Sequence, residues 1–274
     1  MQKSEITKWI TQLPPLPESI QKIEEEFRKS AVVEPEKIVK IVESDPALTA
    51  DILSYVNSSY FHFSNKIYAI DQATALLGVY QIRKLALKSA IFRSFDLDMS
   101  GYGITNDDYM QVCSFQSDLA FRWYMGVDIE KAKILMPIAF MLEAGSVVIS
   151  RFVLDNDLKD SFLQDLKDHD IKTAEQNVAG MSSIQINYTL FEHWGLDEIF
   201  CDTMHALDDA SYKTDAYIEE LANALKAIRM VVNLKSQFQD EEIENAANFL
   251  QSEAIESKKF IKTCQNLAQK FEDA

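Results

Sequence analysis

SDPALTADILSYVNSSY, residues 44–60, is the stretch from which the architecture of this chain can be read. Asp45 is an N-cap residue, able to accept a backbone N–H. Pro46 suits the first helical position, where its missing N–H leaves nothing unpaired. Leu48, Ile52, Tyr55 and Val56 then recur at spacings of three and four, which predicts one apolar stripe on a core helix. Asn57, Ser58 and Ser59 form a polar stop, and Tyr60, Phe61 and Phe63 bring aromatics straight back, so a tight corner is expected rather than a linker.

Helical period continues on both sides of this stretch. Ser4 reads as the cap of a short helix carrying Ile6, Trp9, Ile10 and Leu13, and Pro14, Pro15 and Pro17 then impose an extended turn. The next helix carries Ile20, Ile23 and Phe27 inward, with Glu24, Glu25 and Glu26 read as a solvated face. A third, after Pro35, carries Ile38, Ile41 and Val42. Asp71 reads as the cap of a short helix ending at Gly78. Residues 79–95 form another, whose Arg83, Lys84, Lys88 and Arg93 read as solubilising cations. Residues 96–108, rich in glycine, acids and asparagine, read as a hinge between two helical halves. Gly101 and Gly103 make no phosphate-binding loop, because Asn106 stands where a third glycine is needed and no strand precedes them.

Beyond the hinge, helices are predicted over 109–125, 130–153 (one long or kinked helix containing Pro137), 155–168, 183–194 ended by Gly195, 199–207, 216–234, 241–251 and 259–271. In the last of these, Phe260, Ile261, Cys264, Leu267, Ala268 and Phe271 share a face. With seven glycines, six prolines and no sustained alternation of apolar and polar residues, the expected class is all-α.

Composition narrows the function. The 274 residues are 47% hydrophobic with a net charge of −16, so the chain is globular and its overall field repels phosphate backbones and anionic lipid. Nucleic acid and membrane are therefore not expected partners. The most apolar run, 134–149, is interrupted by Pro137 and Glu143. Cys113, Cys201 and Cys264 lack paired spacing and read as free thiols in a reducing, cytoplasmic setting.

Taken in order, Leu13-Pro14-Pro15-Leu16-Pro17, Asp45-Pro46-Ala47-Leu48-Thr49-Ala50, Asn57-Ser58, Ala73 and Leu77-Gly78 resemble the HDOD family. These "HD-related output domains" of bacterial signalling proteins are degenerate relatives of HD-domain phosphohydrolases. The resemblance covers about residues 13–210 and implies an HD-like multi-helix bundle. It also implies an organisation of an N-terminal extension (1–12), an HDOD domain (13–213, in halves 13–95 and 107–213) and C-terminal helices (214–274) packed on the body.

Catalytic relatives hold divalent metals with histidines and an adjacent His-Asp pair. Against that pattern Leu142 stands where the histidine would be, Glu143 keeps a carboxylate, and Ser183 replaces a later histidine. Asp118 lies near the first ligand, Asn223 near the last aspartate, and His205 near another histidine. A hydrocarbon cannot ligate, so no metal, no cofactor and no catalysis are expected. The expected function is a non-catalytic regulatory module binding a protein partner, a small nucleotide-like ligand or a second copy of itself through an apolar helix face. The competing reading is a phosphohydrolase with an altered ligand set built from Glu143, His205 and Asp118.

Overall fold

The computed structural model describes residues 2–29, 32–58, 61, 63, 65–95 and 97–272. Ser59, Tyr60, His62 and Asp96, and the Phe271 side chain assigned above to the last helix face, lie outside the described residues. Among those described, the helices are α1 (Gln2–Gln12), α2 (Glu18–Lys29), α3 (Pro35–Glu43), α4 (Pro46–Val56), α5 (Ile70–Leu77), α6 (Val79–Ser94), α7 (Asn106–Tyr124) and α8 (Ile129–Phe140). There follow α9 (Ala144–Asp155), α10 (Lys159–Asp168), α11 (Ile171–Ala179), α12 (Ser183–His193), α13 (Glu198–Asp208), α14 (Ala216–Val231), α15 (Asp240–Ser252) and α16 (Lys258–Glu272), with a 3₁₀ turn at Met99–Tyr102. The protein is all-α; the described residues include no strand, only an isolated antiparallel bridge between Val232 and Gln237.

Two compact units are formed, one from Pro14–Asp96 and one from Met1–Leu13 together with Leu97–Ala274. In the smaller, Asp45 Oδ1 accepts from the N–H groups of Ala47 (3.1 Å) and Leu48 (2.9 Å), starting α4 with Pro46 in its first turn. Leu48, Ile52 and Val56 are buried. Asn57 closes the helix: its amide donates to the carbonyls of Leu53 and Ile67 and accepts from the Ile67 N–H at 2.8 Å, tying the corner back on itself.

Charges in this unit are more internal than periodicity suggests. Glu24 is buried, not solvated, and takes a two-point fork from Arg83 (2.8 and 2.6 Å). Lys84 is buried too, Lys88 lies 3.2 Å over the Tyr55 ring, and Arg93 bonds Asp51 at 2.9 Å. Of the four cations read as solubilising, Arg83 and Lys84 are thus drawn into the unit, because most of α6 is enclosed, while the half-buried Lys88 and the exposed Arg93 find a ring and a carboxylate at its boundary.

In the larger unit α7 packs along α8, with α14 and α16 against α7, while α9 lies on α12 and the 3₁₀ turn; α1 packs against α9, α11 and α12. Three expectations change. Ser4 lies inside α1, since the helix already runs from Gln2; likewise Asp71 falls in the first turn of α5, whose cap position is Ala69. The segment read as a hinge carries the 3₁₀ turn with Met99, Gly101 and Tyr102 buried; Gly101 sits so close to Ser150 that an added Cβ would lie 2.9 Å from the Ser150 carbonyl oxygen. The long or kinked helix expected over 130–153 is instead two helices, broken at Met141–Glu143, and Pro137 lies inside α8, short of the break. The stretch Ile129–Asp155 has the length and apolarity of a membrane span, but 89% of its most apolar window is buried inside the protein.

Candidate functional site

The break between α8 and α9 decides the site. Gly145, the second residue of α9, has no room for a side chain: a Cβ there would overlap the Ser183 carbonyl oxygen and stand 2.9 Å from its carbon. Backbone therefore meets backbone where α9 and α12 begin. Asn187 on α12 secures the contact, accepting from the Gly145 N–H (2.5 Å) and donating to the Leu142 carbonyl (2.6 Å). This geometry turns Glu143, in the cap position of α9, into the interior, where it is wholly buried.

Four donors surround that carboxylate. Arg229 on α14 forks onto it, Nε to Oε1 at 2.8 Å and Nη2 to Oε2 at 3.0 Å. Gln116 on α7 donates to Oε1 at 2.9 Å, and Ser146 donates to Oε2 at 3.3 Å. A carboxylate has about four acceptor sites, and all are used. The Gln116 amide nitrogen also donates to the Val232 carbonyl, while its own Oε1 stays buried without a hydrogen-bond partner. Orienting the donor toward Glu143 thus leaves an acceptor unmet, a cost of about 1–3 kcal/mol.

A second carboxylate completes the cluster. Glu175 on α11 is fully buried, 4.0 Å from Arg229 Nη2, and accepts from the Ser183 N–H (2.7 Å) and the Tyr102 hydroxyl (2.8 Å). Burial pushes its pKa up, opposed by Arg229 and the Ser183 N–H. Burial and the neighbouring Glu175 hold the Tyr102 phenol well above its ordinary range, so it remains a donor. For Arg229, burial works against the charge, but Glu143 and Glu175 overcome it and raise the pKa above the ordinary arginine value. Arg229 Nη2 also donates to Ser183 Oγ at 2.8 Å.

Of the positions named from sequence, Glu143 and Ser183 meet on one guanidinium. Leu142 is fully buried beside them, contributing its carbonyl to Asn187. Asp118 is half-buried on α7, two residues from Gln116, a spacing at which helical side chains do not share a face. His205 stacks on Tyr188 (3.8 Å between centroids) and meets the tilted ring of Tyr212 (4.6 Å). Asn223 donates to Glu253 at 3.1 Å; six residues before Arg229, it is about a third of a turn away around α14. The member that α14 supplies is Arg229.

Arg229, Glu175, Gln116 and Tyr102 carry no motif. A signal was present: Arg229 continues the buried stripe Ala222, Leu225, and Glu175 falls between the buried Ala174 and Ala179. A charge on a buried face needs an opposite charge elsewhere.

The cluster does not fit a divalent metal. Glu143 and Glu175 face N–H and O–H donors already bonded to them, Leu142 offers no lone pair from its side chain, and no group of three His, Cys, Asp or Glu among the described residues is placed to hold an ion.

The HDOD domain model matches residues 13–210. The chain belongs to the HDOD family. Comparison with curated proteins returned no match. Among solved structures, the HDOD domain protein of unknown function from Geobacter sulfurreducens is similar with a TM-score of 0.68 at 16% identity, over 99% of this chain and 95% of that one. A candidate phosphohydrolase from Shewanella amazonensis SB2B gives 0.66 at 17% identity, over 97% and 94%. A candidate signal transduction protein from Marinobacter aquaeolei VT8 gives 0.71 at 19% identity over 94% of this chain, which spans 57% of that protein. At these identities the likeness shows the fold, an HD-like helical scaffold.

Proposed function

We propose that this chain is a non-catalytic module of bacterial, cytoplasmic signal transduction, an HDOD scaffold that recognises a protein partner through its surface. The observation that carries the reading is the Arg229 fork. Glu143 and Ser183, two of the positions that the family resemblance aligns with metal ligands, both bond a guanidinium that cannot dissociate. A metal entering there would have to displace Arg229, Gln116 and Ser146, which together use every lone pair of Glu143, and Leu142, at the position of a ligand histidine, has no side-chain lone pair to offer. The interior is filled by the protein itself, so recognition falls to the outside.

The test uses full-length protein purified after growth with added manganese, iron and zinc. Elemental analysis is expected to find far less than one metal per chain, and phosphomonoester and phosphodiester substrates are expected to be hydrolysed no faster than in buffer. Near-stoichiometric metal together with hydrolysis that Glu143→Ala abolishes would overturn the proposal and restore the altered-ligand phosphohydrolase. Capture of a specific protein by the wild-type chain, with light scattering to report self-association, tests the recognition role.

A further inference from the structure

The cation in the cluster does not come from the matched family region. Residues 13–210 contribute Glu143, Glu175 and Ser183, whereas Arg229 sits on α14, beyond that region. Without Arg229 these residues would leave two fully buried carboxylates with no cation between them. Buried carboxylates in that state are strongly unfavourable, so the pocket formed where α9, α11 and α12 begin or meet calls for a positive charge.

Its geometry also selects which kind. The two oxygens of Glu143 take parallel bonds from Nε and Nη2, the side-on match of a planar fork to a carboxylate, and Ser183 Oγ takes a further bond from Nη2. A point charge such as an ammonium cannot reproduce that set, and a divalent ion would meet the donors of Gln116, Ser146 and Tyr102 turned toward it.

We infer that Glu143, Glu175 and Ser183 form a guanidinium-binding site, and that Arg229 is its ligand in cis, docking α14, the first helix after the matched family region, onto the helices of that region. The inference deepens the proposed function and rests on it only in taking the site as free of metal.

The experiment is thermal unfolding of full-length Arg229→Ala with methylguanidinium, methylammonium and manganese, each at matched millimolar concentrations, beside wild type. A ligand that binds only the folded state raises its stability with saturation. At ten times its Kd the expected rise in Tm is about 3–6 °C for a domain of this size. Methylguanidinium is expected to produce that saturable rise in Arg229→Ala and not in wild type, and adding Glu143→Gln to the variant should remove most of it.

A response no larger than that of wild type, or an equal response to methylammonium, or a larger one to manganese, would overturn the inference. Where Arg229→Ala yields no folded protein, Arg229→Lys and Arg229→Gln decide. A guanidinium site places both below wild type with Lys above Gln, and a Lys variant as stable as wild type refutes it. Metal-free wild type with an unresponsive Arg229→Ala would sink the inference and leave the proposed function standing. Metal-loaded, hydrolytic wild type would sink the proposed function first.

Discussion

Gly145→Ala tests the physical basis of the site directly. The residue is helical and its N–H is already bonded to Asn187, so on an exposed helix alanine would be the better residue by about 0.5–1 kcal/mol. Here the methyl group would be driven into the backbone carbonyl of Ser183, an atom that cannot rotate away. Overpacking of this kind costs about 1–3 kcal/mol. Separating α9 from α12 also strains the two Asn187 bonds, at 2.5 and 2.6 Å, each worth about 0.5–1.5 kcal/mol. After subtracting the propensity gain, a loss of about 3 kcal/mol is expected, or about 6–12 °C in Tm.

Urea unfolding followed by far-UV circular dichroism measures this, with the denaturant slope unchanged if only the native state is affected. Gly126→Ala is the control. A Cβ there would meet only the flexible end of Lys259, 3.2 Å away, and the change is expected to stay within about 1 kcal/mol of wild type. Gly145→Ala protein as stable as the Gly126→Ala control would refute the close-approach argument, and with it the account of how Glu143 is turned inward.

Leu142→Ala is expected to lose about 2–5 kcal/mol in the same assay, because the side chain is fully buried; a change within about 0.5 kcal/mol would place it at the surface. In the smaller unit, Glu24→Ala removes the two-point carboxylate from the buried Arg83 and should cost about 3–5 kcal/mol, and a loss under about 1 kcal/mol would refute the buried ion pair as a major contribution. Glu175 carries a raised pKa, so its contribution to stability is complete below the ordinary value of 4.5 and is lost as pH rises through the folded value. Glu175→Gln removes that slope: urea midpoints should show the variant gaining on wild type from acid toward neutral pH, and a variant that falls further behind as pH rises would contradict the raised pKa.

Local rules made much of the fold legible. Asp45 and Pro46 start α4, Asn57 ends it, and Gly78, Gly103, Gly180 and Gly195 take positive φ where helices or turns stop. These signals act over a few residues and need no tertiary partner. The break at Met141–Glu143 was not legible, since the residues on both sides are apolar and helical in period; it follows from the backbone contact of Gly145 with Ser183, residues far apart in sequence. Charge assignment failed for the same reason. Glu24 among three consecutive glutamates looks solvated until α6 presents Arg83, and Glu175 is one of 43 acids until α14 presents Arg229. Glu143 and Ser183 could be named from the family pattern, but what lies between them could not, because the pattern points to Asn223 on α14, whose amide bonds Glu253, and says nothing of Arg229.

The cluster's stabilising value alone does not account for its form. Replacing a buried ion pair with well-packed hydrocarbon is often neutral or favourable, so a pocket of leucines would hold these helices at least as well. Hydrocarbon, however, accepts many registers, whereas the fork of Arg229 is satisfied in one: Nε and Nη2 on Glu143, Nη2 on Ser183, with Gln116, Ser146 and Tyr102 filling the remaining acceptors. Sliding α14 by a residue along its axis would turn the guanidinium away by about 100° and leave two carboxylates buried without their cation. A metal could be lost or exchanged; a side chain cannot. Under the function proposed above, Leu142 at a ligand position and Arg229 on Glu143 act together: the cluster fixes the docking of α14 and holds no place for a metal, and recognition is left to the surfaces that this register presents.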